Sequence, residues 1–384
     1  MRPWLVVISV CLASCTATQD FATPLQPAPA LPEAGPAPAT LPCNTQSDPA
    51  NCGACGHGCL GAACSAGVCQ PIRLADRHWT SAPLLSGSDR GTTAPLLLDE
   101  GGVLWADEAG VWRVERTGGV ITSLVAPMWE SELGTYRARI DELTSQGGEL
   151  FLLSHEAGRI WRSMPDGTGI QPFFVDREPI SVNGLAVDDA HVAWGRWAGG
   201  VYMCPRAGCP ATGPTRLGNE TNDVFFLELL GKDVLYTAGY GIGATLRTSE
   251  AAGGPSRALV EDIGFVGGLA TDDADAFVLG SKGFIARVPL RGGEAKRDIL
   301  TGPRVSQKSG IAVDESFVYW ADEGQKAVLR APKRGGDPEV VVANVVRPFA
   351  VAVDAVAVYY TTQGSEEAGP QGAVMKVAKP AARP

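Results

Sequence analysis

Histidine and clustered positive charge are both scarce in this chain, and each scarcity argues against a class of function. The 384 residues carry a formal net charge of −10, and no run of lysine and arginine stands out. Because an acidic surface repels phosphate backbones, nucleic-acid binding is disfavoured. There are only 4 histidines, and no G-x-S-x-G motif occurs, so a serine-type hydrolase is disfavoured as well. The "GYGIG" stretch at 239–243 is followed by no helix that could receive a phosphate.

Long apolar runs are also missing, apart from one near the first residue. The run "WLVVISVCLA" has ten residues, which is too few for a mature membrane-spanning helix. It ends at "LASC", residues 12–15, and this resembles the lipobox of bacterial lipoprotein signal peptides. The resemblance implies that residues 1–14 are removed and that Cys15 is lipidated. An ordinary signal peptide with incidental cysteines is the alternative. Thr16 stands where an inner-membrane retention signal would have Asp, so the resemblance implies the outer membrane or cell surface.

Residues 15–42 are dense in proline and alanine and almost uncharged. Such a segment buries too little apolar surface to offset its ordering entropy, and proline favours extended backbone. We expect it to be a tether between the lipidated cysteine and the folded part.

Cysteine is plentiful, with ten residues in all, and its spacing predicts disulfides. Six of them crowd into residues 43–70: Cys43, Cys52, Cys55, Cys59, Cys64 and Cys69. An exported protein meets an oxidising compartment, so three disulfides are expected, in one of fifteen connectivities. A zinc site that uses His57 is the alternative. The pattern D-x-x-N-C-G-x-C-G-x-x-C is similar to cysteine-rich segments of myxobacterial exported proteins, and the similarity implies a small cross-linked spacer without chemistry of its own.

Two further cysteines, Cys204 and Cys209, flank the short sequence "PRAG". Related parts of the chain have a turn such as "PLRGG" at this place, so the pair is expected to form a local disulfide across a hairpin. A redox pair would be expected to show the closer Cys-x-x-Cys spacing.

A phrase of about forty-two residues recurs along residues 71–384 and predicts the fold. Its clearest copy, residues 310–343, reads "GIAVDESFVYWADEGQKAVLRAPKRGGDPEVVVA". Seven copies can be aligned on the residue that ends the first apolar run: Asp99, Gln146, Asp188, Gly231, Asp272, Asp314 and Asp354. Each copy holds four short alternating segments, which is typical of one β-propeller blade. The sequence therefore predicts an all-β, seven-bladed β-propeller, with a six-bladed ring or a β-sandwich as alternatives.

The phrase "GIAVD…VYWAD…VLRAP…GG" resembles YWTD and NHL-type propeller repeats over residues 79–379. The resemblance defines architecture only. We expect the recurrent Asp188, Asp272, Asp314 and Asp354 to accept hydrogen bonds from turn amides. Trp105, Trp194 and Trp320 share one repeat position and are expected to pack between blades.

The ends of the repeat region predict how the ring closes. The seventh copy lacks a fourth strand, and the segment "WTSAPLLSG", residues 79–87, resembles the missing one. An N-terminal strand from this segment is therefore expected to complete the last blade, which removes free sheet edges.

The connections between blades and the loops between second and third strands share one face, where a ligand would bind. The repeat alignment places these residues around the channel: Ala94, Asp141, Asn183, Phe226, Gly267, Ser309 and Phe349. The loops add Asp107, Glu108, His155, Glu156, Arg196, Trp197, Tyr240, Lys282, Asp322, Glu323 and Gln363. The expected ligand-binding face comprises Asp141, Asn183, Arg196, Trp197, Tyr240, Asp322 and Glu323.

Two functions from different classes follow from this face. The first is a lipid-anchored, non-catalytic binding or scaffold protein of the cell envelope, with no cofactor. We expect it to be a monomer that binds a protein, peptide or glycan but no nucleic acid. The alternative is a metal-dependent propeller hydrolase acting on lactones or esters. Asp141, Glu142 and Asn183 would then hold a divalent ion such as Ca²⁺, with His155 as base.

Overall fold

A computed structural model describes the chain from Cys43 onward, with gaps. The described residues are 43–77, 95–107, 110–126, 128–131, 134–137, 139–176, 182–197, 199–239, 243–281, 284–291, 296–301, 310–363 and 372–381. They contain strands, turns and bends but no helix. None of this part of the chain therefore offers a helix of the length and apolarity that a membrane crossing requires.

The first described segment is the cysteine-rich module, residues 43–70. It contains two very short paired strands, β1 (Cys64–Ser65) and β2 (Val68–Cys69). Its six cysteines form the disulfides Cys43–Cys55, Cys52–Cys64 and Cys59–Cys69. The expectation of three disulfides is confirmed, and this connectivity is one of the fifteen that the spacing allowed.

Seven four-stranded sheets follow, which we number as blades 1 to 7. The N-terminal strand that joins blade 7 is β3 (Ile72–Arg77). Blade 1 consists of β4 (Leu96–Asp99), β5 (Gly102–Asp107), β6 (Gly110–Val114) and β7 (Thr122–Val125). An additional hairpin, β8 (Met128–Ser131) and β9 (Gly134–Arg137), precedes blade 2. Blade 2 consists of β10 (Glu142–Gln146), β11 (Glu149–Ser154), β12 (Arg159–Ser163) and β13 (Gln171–Val175).

The middle of the ring has the same organisation. Blade 3 consists of β14 (Val182–Val187), β15 (His191–Arg196), β16 (Val201–Pro205) and β17 (Thr215–Leu217). Blade 4 consists of β18 (Val224–Leu230), β19 (Asp233–Ala238), β20 (Thr245–Glu250) and β21 (Arg257–Val260). Blade 5 consists of β22 (Val266–Thr271), β23 (Asp275–Gly280), β24 (Phe284–Pro289) and β25 (Lys296–Thr301).

The last two blades bring the chain back to its N-terminal strand. Blade 6 consists of β26 (Ile311–Val313), β27 (Phe317–Asp322), β28 (Ala327–Pro332) and β29 (Glu339–Val342). Blade 7 consists of β30 (Pro348–Val353), β31 (Ala357–Thr362), β32 (Gly372–Ala378) and, as its outermost strand, β3. All neighbouring strands are antiparallel and consecutive, except where β3 joins β32. The seven-bladed β-propeller is confirmed, and the six-bladed and sandwich alternatives are wrong.

The closing strand differs from the segment that the sequence favoured. Ile72–Arg77 pairs with Gly372–Ala378, so the fourth position of blade 7 is already filled. The expectation that residues 79–87 fill it is wrong, and those residues lie outside the described part of the chain. The principle of closure by an N-terminal strand is correct. The alternation of "IRLADR" places Leu74 in the core, where it packs with Val103 and Trp105 of blade 1.

The recurrent aspartates stabilise the turn after each first strand, as predicted. Asp314 Oδ1 accepts hydrogen bonds from the backbone N–H groups of Ser316 at 2.8 Å and Phe317 at 2.7 Å. Asp188, Asp272 and Asp354 hold the corresponding amides of their own turns. A short carboxylate that accepts amides two and three residues ahead fixes a tight turn, so each blade begins with the same hairpin.

The recurrent tryptophans fill the space between neighbouring blades, which confirms the second structural expectation. Trp105, Trp194 and Trp320 are each at most 1 % exposed. Trp320 of blade 6 packs with Phe277 and Leu279 of blade 5. The apolar face of one blade is buried only when it packs against the next blade. The large flat ring of the tryptophan fills the space between its own blade and the preceding one.

The cysteine-rich module packs on the ring rather than acting as a free spacer. Its buried Cys52, Cys59, Cys64 and Cys69 belong to the same hydrophobic cluster as residues of blades 6 and 7. His57 Nε2 lies 2.7 Å from the carbonyl oxygen of Lys379, which directly follows β32. A module this small has almost no core of its own, so the disulfides and this contact surface stabilise it together.

The ring has two different faces, which we name for what they carry. The mouth face is formed by the connections between blades and by the loops between second and third strands. The turn face is formed by the turns between first and second strands and between third and fourth strands. Because strands alternate in direction within each sheet, this division holds for all seven blades.

Candidate functional site

The channel at the centre of the mouth face is narrow and apolar. A cavity of about 140 Å³ lies between the first strands of blades 1, 4, 5, 6 and 7. Its lining includes Phe226, Gly267 and Phe349, three of the seven channel positions predicted from the repeat. Ala94 and Ser309 lie outside the described residues. A space of this size holds a few water molecules, so an organic ligand of ordinary size would have to bind above the described lining.

Asp141 is buried on the mouth side of blade 2 and already has hydrogen-bond partners on both carboxylate oxygens. Oδ1 accepts a hydrogen bond from Arg139 Nε at 2.9 Å, and Oδ2 accepts one from the backbone N–H of His155 at 2.8 Å. Burial raises the pKa of Asp141, although Arg139 and the His155 amide oppose the rise. Asp141 therefore joins the connection before blade 2 to the loop after its second strand.

Glu142 reaches across to blade 3. Its Oε1 accepts a hydrogen bond from the backbone N–H of Gly184 at 3.0 Å, and the N–H of Leu185 also contributes. Burial raises the pKa of the Glu142 carboxyl to about 8, and the charges of Asp141 and Glu228 add to the rise. Burial also raises the pKa of Glu228, on the first strand of blade 4, to about 7. The Glu142 carboxyl therefore favours the neutral form near neutral pH.

The bulge that receives Glu142 depends on Gly184. Gly184 has a φ of +54°, and a Cβ at this position would stand 2.6 Å from the backbone oxygen of Phe225 in blade 4. The strand register shifts at this point, between Asn183 and Leu185. The side-chain nitrogen of Asn183 is buried and has no hydrogen-bond partner among the described residues. Blades 2, 3 and 4 therefore meet closely around this one bulge.

Asp141 and Glu142 lie on blade 2, and Asn183 lies on the neighbouring blade 3. Few of their side-chain oxygens are free to coordinate a metal ion. Both oxygens of Asp141 and one oxygen of Glu142 accept hydrogen bonds from the protein. Among the described residues, the single group of three or more potential metal ligands with converging atoms is Cys52, Cys59 and Cys69. Those cysteines are in disulfides. The fit to a divalent ion at the three mouth residues is poor.

Trp197 is the centre of an aromatic cluster that spans three blades. Its ring centroid lies 6.0 Å from that of His155 and 5.8 Å from that of Phe225, the latter edge-to-face. His155 Nδ1 lies 3.0 Å from the carbonyl oxygen of Val182, which orients the imidazole. Trp197 itself is partly exposed. A partly exposed indole supported on both sides is a rigid contact surface for a ligand.

Arg196 precedes Trp197 and is held beside the same cluster. Its guanidinium forms an ion pair with Asp176 at 3.0 Å and lies 5.6 Å above the ring of Tyr202. The repeat alignment identified Arg196 and Trp197 as loop residues but did not identify Asp176, Tyr202 or Phe225. Tyr202 lies on the next strand of the same blade, whereas Asp176 follows the last strand of blade 2 and Phe225 lies on blade 4. The contacts between blades could not be identified from a single copy of the repeat.

Asp322 and Glu323 lie on blade 6, apart from the Trp197 cluster. Asp322 is fully buried and holds the backbone N–H and the side-chain amide of Gln325, each at 2.9 Å. Glu323 is exposed and pairs with Arg347 at 3.5 Å. Asp322 thus stabilises its own loop, while Glu323 faces solvent. Tyr240, the remaining residue of the expected face, lies outside the described residues, so the ligand-binding face as a whole stays a prediction.

The disulfide expected in blade 3 is present. Cys204 at the end of the third strand and Cys209 form a disulfide with a Cα–Cα distance of 4.9 Å. It closes the hairpin turn on the turn face, far along the strand from Arg196, and so confirms a local structural role for the pair.

Comparison with known proteins supports the fold but does not identify a family. The chain matches no protein-family model, and no curated protein is similar to it in sequence. Virginiamycin B lyase from Staphylococcus aureus has a TM-score of 0.57 at 13% identity, covering 80% of this chain and 98% of that one. The Pan2 WD40 domain from Neurospora crassa has a TM-score of 0.57 at 7% identity, covering 82% and 96%.

A third similar structure is the computationally designed protein Ika8, with a TM-score of 0.55 at 14% identity, covering 80% of this chain and 99% of that one. One of the virginiamycin B lyase structures is a catalytically inactive variant with Quinupristin. At such low identity these similarities establish the class of protein, a β-propeller, and carry no activity across to this chain.

Proposed function

We propose that this chain is a lipid-anchored, non-catalytic binding or scaffold protein of the bacterial cell envelope. A role in binding is supported mainly by Trp197 on the mouth face. Its partly exposed ring is held between the rings of His155 and Phe225. Binding energy at protein surfaces concentrates in such aromatic anchors. The ligand would be a protein, a peptide or a glycan that lies across blades 2 to 4.

Location in the envelope is supported by sequence and by cysteine chemistry. The lipobox-like residues "LASC", 12–15, support lipidation of Cys15 and, with it, attachment at the outer membrane or cell surface. All eight cysteines of the described part are in disulfides, which is typical of an oxidising compartment. Metabolic labelling with palmitate tests the anchor. Label is expected on the wild-type chain and not on Cys15→Ser, and equal labelling of both would contradict lipidation at Cys15.

Binding without catalysis is tested on an array of cell-wall glycans and envelope-derived peptides. Trp197→Ala is expected to weaken binding at least about tenfold, because hot-spot aromatics contribute that much. Val346→Ala, which alters an exposed residue in the connection between blades 6 and 7 on the same face, is the matched control and should change affinity little. Stoichiometric Ca²⁺ that is lost in Asp141→Ala, together with turnover of lactones or esters, would contradict this function and favour the hydrolase.

A further inference from the structure

Exposed apolar side chains are unevenly distributed over the described part of the chain. Ten large hydrophobic side chains are exposed there. Seven of the ten lie on the turn face or in the cysteine-rich module: Leu60, Val68, Val120, Ile121, Met164, Ile170 and Val356. Scattered exposed apolar residues are ordinary, but a concentration on one face marks an interaction surface.

Four of these side chains belong to two neighbouring turns, which we name the apolar turns. Val120 and Ile121 lie between the third and fourth strands of blade 1, and Val120 is 84% exposed, the highest value of the ten. Met164 and Ile170 flank the equivalent turn of blade 2. The turn of blade 2 packs against the fourth strand of blade 1, since a Cβ on Gly167 would stand 2.1 Å from the backbone oxygen of Leu124.

The described chain also begins on this face. Ile72 pairs with Lys376 near the turn-face end of β32, and His57 of the module lies against Lys379. Leu74 lies beside the turn of blade 1, 3.7 Å from where a Cβ on Gly118 would stand. The cysteine-rich module is therefore on the same side of the ring as the apolar turns.

Three carboxylates of this face are compensated. Asp272, Asp314 and Asp354 each form an ion pair with a lysine or arginine of the next blade: Lys333, Lys379 and Arg116. Paired carboxylates repel an anionic lipid surface less than free ones do. Exposed apolar residues at turns gain free energy when they enter the boundary between headgroups and acyl chains.

We propose that the turn face rests on the lipid bilayer, with Val120, Ile121, Met164 and Ile170 in contact with the acyl region. The mouth face, with Trp197, then points away from the membrane toward its ligand. The inference rests on the proposed function in one respect, because the lipid on Cys15 keeps the ring close to the bilayer. The 28 residues of the tether would reach at most about 90 Å if extended, at roughly 3.1 Å per residue. The module that follows the tether in sequence lies on the turn-face side of the ring, which is the side proposed to face the bilayer.

Depth-dependent fluorescence quenching tests this orientation. The chain from Cys15 onward is coupled through its single unpaired thiol, Cys15, to a maleimide phospholipid in vesicles of phosphatidylethanolamine and phosphatidylglycerol. Val120→Trp reports on the turn face. Val346→Trp, at an exposed position in the connection between blades 6 and 7 on the mouth face, is the matched control. Emission of the parent chain is subtracted, and lipids brominated in the acyl chains are the quencher.

The added tryptophan at position 120 is expected to be quenched at least about threefold more than the one at position 346. Changing Ile121, Met164 and Ile170 to serine in the Val120→Trp chain should reduce that quenching, while the solvent-exposed positions leave folding intact. Equal quenching at the two positions, or stronger quenching at 346, would overturn the orientation. Because the lipid is attached chemically, this result does not depend on whether cells acylate Cys15, which palmitate labelling decides separately.

Discussion

Lys379 Nζ donates a hydrogen bond to Asp314 Oδ2 at 2.6 Å and so joins blade 7 to blade 6. The same Oδ2 accepts a hydrogen bond from the hydroxyl of Tyr319 at 2.8 Å, while Oδ1 holds two turn amides. One carboxylate thus fixes a turn, orients a buried tyrosine and connects two blades. Equivalent ion pairs join blades 5 and 6 through Lys333 and Asp272, and blades 7 and 1 through Arg116 and Asp354.

Replacing Asp314 by alanine should destabilise the ring. Asp314→Ala is expected to lower the free energy of unfolding by about 2–4 kcal/mol, because it leaves Tyr319 and Lys379 without their acceptor. Asp337→Ala is the control, since Asp337 is exposed, and it should change stability by less than about 0.5 kcal/mol. Urea unfolding followed by tryptophan fluorescence measures both changes.

The effect of Asp314→Ala should also depend on pH. Burial alone would raise the pKa of Asp314, but the bonds from Lys379, Phe317, Tyr319 and Ser316 outweigh it and lower the pKa below the usual 3.8. A carboxyl with a lowered pKa stabilises the folded state above its unfolded pKa and loses this contribution as pH falls through the folded value. The difference between the two proteins should therefore be complete above pH 4 and shrink below it. A difference that is constant down to the acid transition would contradict this role.

The contribution of Glu142 to folding stability should have the opposite pH dependence. Its folded pKa of about 8 lies above the usual 4.5, so the folded chain holds a proton that the unfolded chain releases. The stability from this group is present below pH 4.5 and is lost as pH rises through 8. In Glu142→Gln the amide oxygen can still accept from Gly184. The variant should therefore gain on the order of 1–3 kcal/mol relative to wild type between pH 5 and pH 8. Unfolding at several pH values measures this gain, Glu323→Gln should show none, and parallel curves for wild type and Glu142→Gln would contradict the account.

Gly184 offers a test of how closely blades 3 and 4 approach. Gly184→Ala should lower the free energy of unfolding by about 3 kcal/mol. The new Cβ would clash with the backbone of Phe225, and alanine would also have to adopt a left-handed φ. Gly231→Ala is the matched control. Gly231 has a similar φ of +64° but no atom within 4 Å of the added Cβ, so about 1 kcal/mol is expected. Equal thermal or urea midpoints for the two variants would show that the contact with Phe225 does not matter.

Much of the architecture could be predicted from the sequence because the repeat is a local pattern. The turn role of Asp188, Asp272, Asp314 and Asp354 depends on amides two and three residues away, and it is confirmed. The packing of Trp320 against blade 5 follows from its fixed place in the repeat. The additional hairpin of β8 and β9 was missed. The hairpin lies between Asp99 and Gln146, whose spacing of 47 residues is the longest between consecutive copies of the repeat. This extra length was the signal that could have indicated an insertion.

The site and the closing strand could be predicted less well, since both depend on which segments become neighbours in the ring. Arg139 and the bulge at Gly184 acquire their roles only when blades 2, 3 and 4 come together. Ile72–Arg77 was missed because "WTSAPLLSG" resembles a fourth strand more closely than "IRLADR" does. Strand pairing between distant segments is decided by the geometry of the whole ring, and local resemblance alone does not choose between two nearby candidates.

Closure of the seven-bladed ring by the strand Ile72–Arg77 is the claim on which both faces depend, and a designed cross-link tests it directly. Asp76 of β3 is paired with Ala373 near the start of β32, the neighbouring strand of blade 7. Ala378 lies at the other end of β32. In Asp76→Cys/Ala373→Cys, mass spectrometry of the non-reduced digest should show the peptides containing positions 76 and 373 joined by a disulfide. Asp76→Cys/Ala378→Cys should show no such link, because about five residues of strand separate the positions by roughly 17 Å. Absence of the first link, or equal yields from the two variants, would contradict the account.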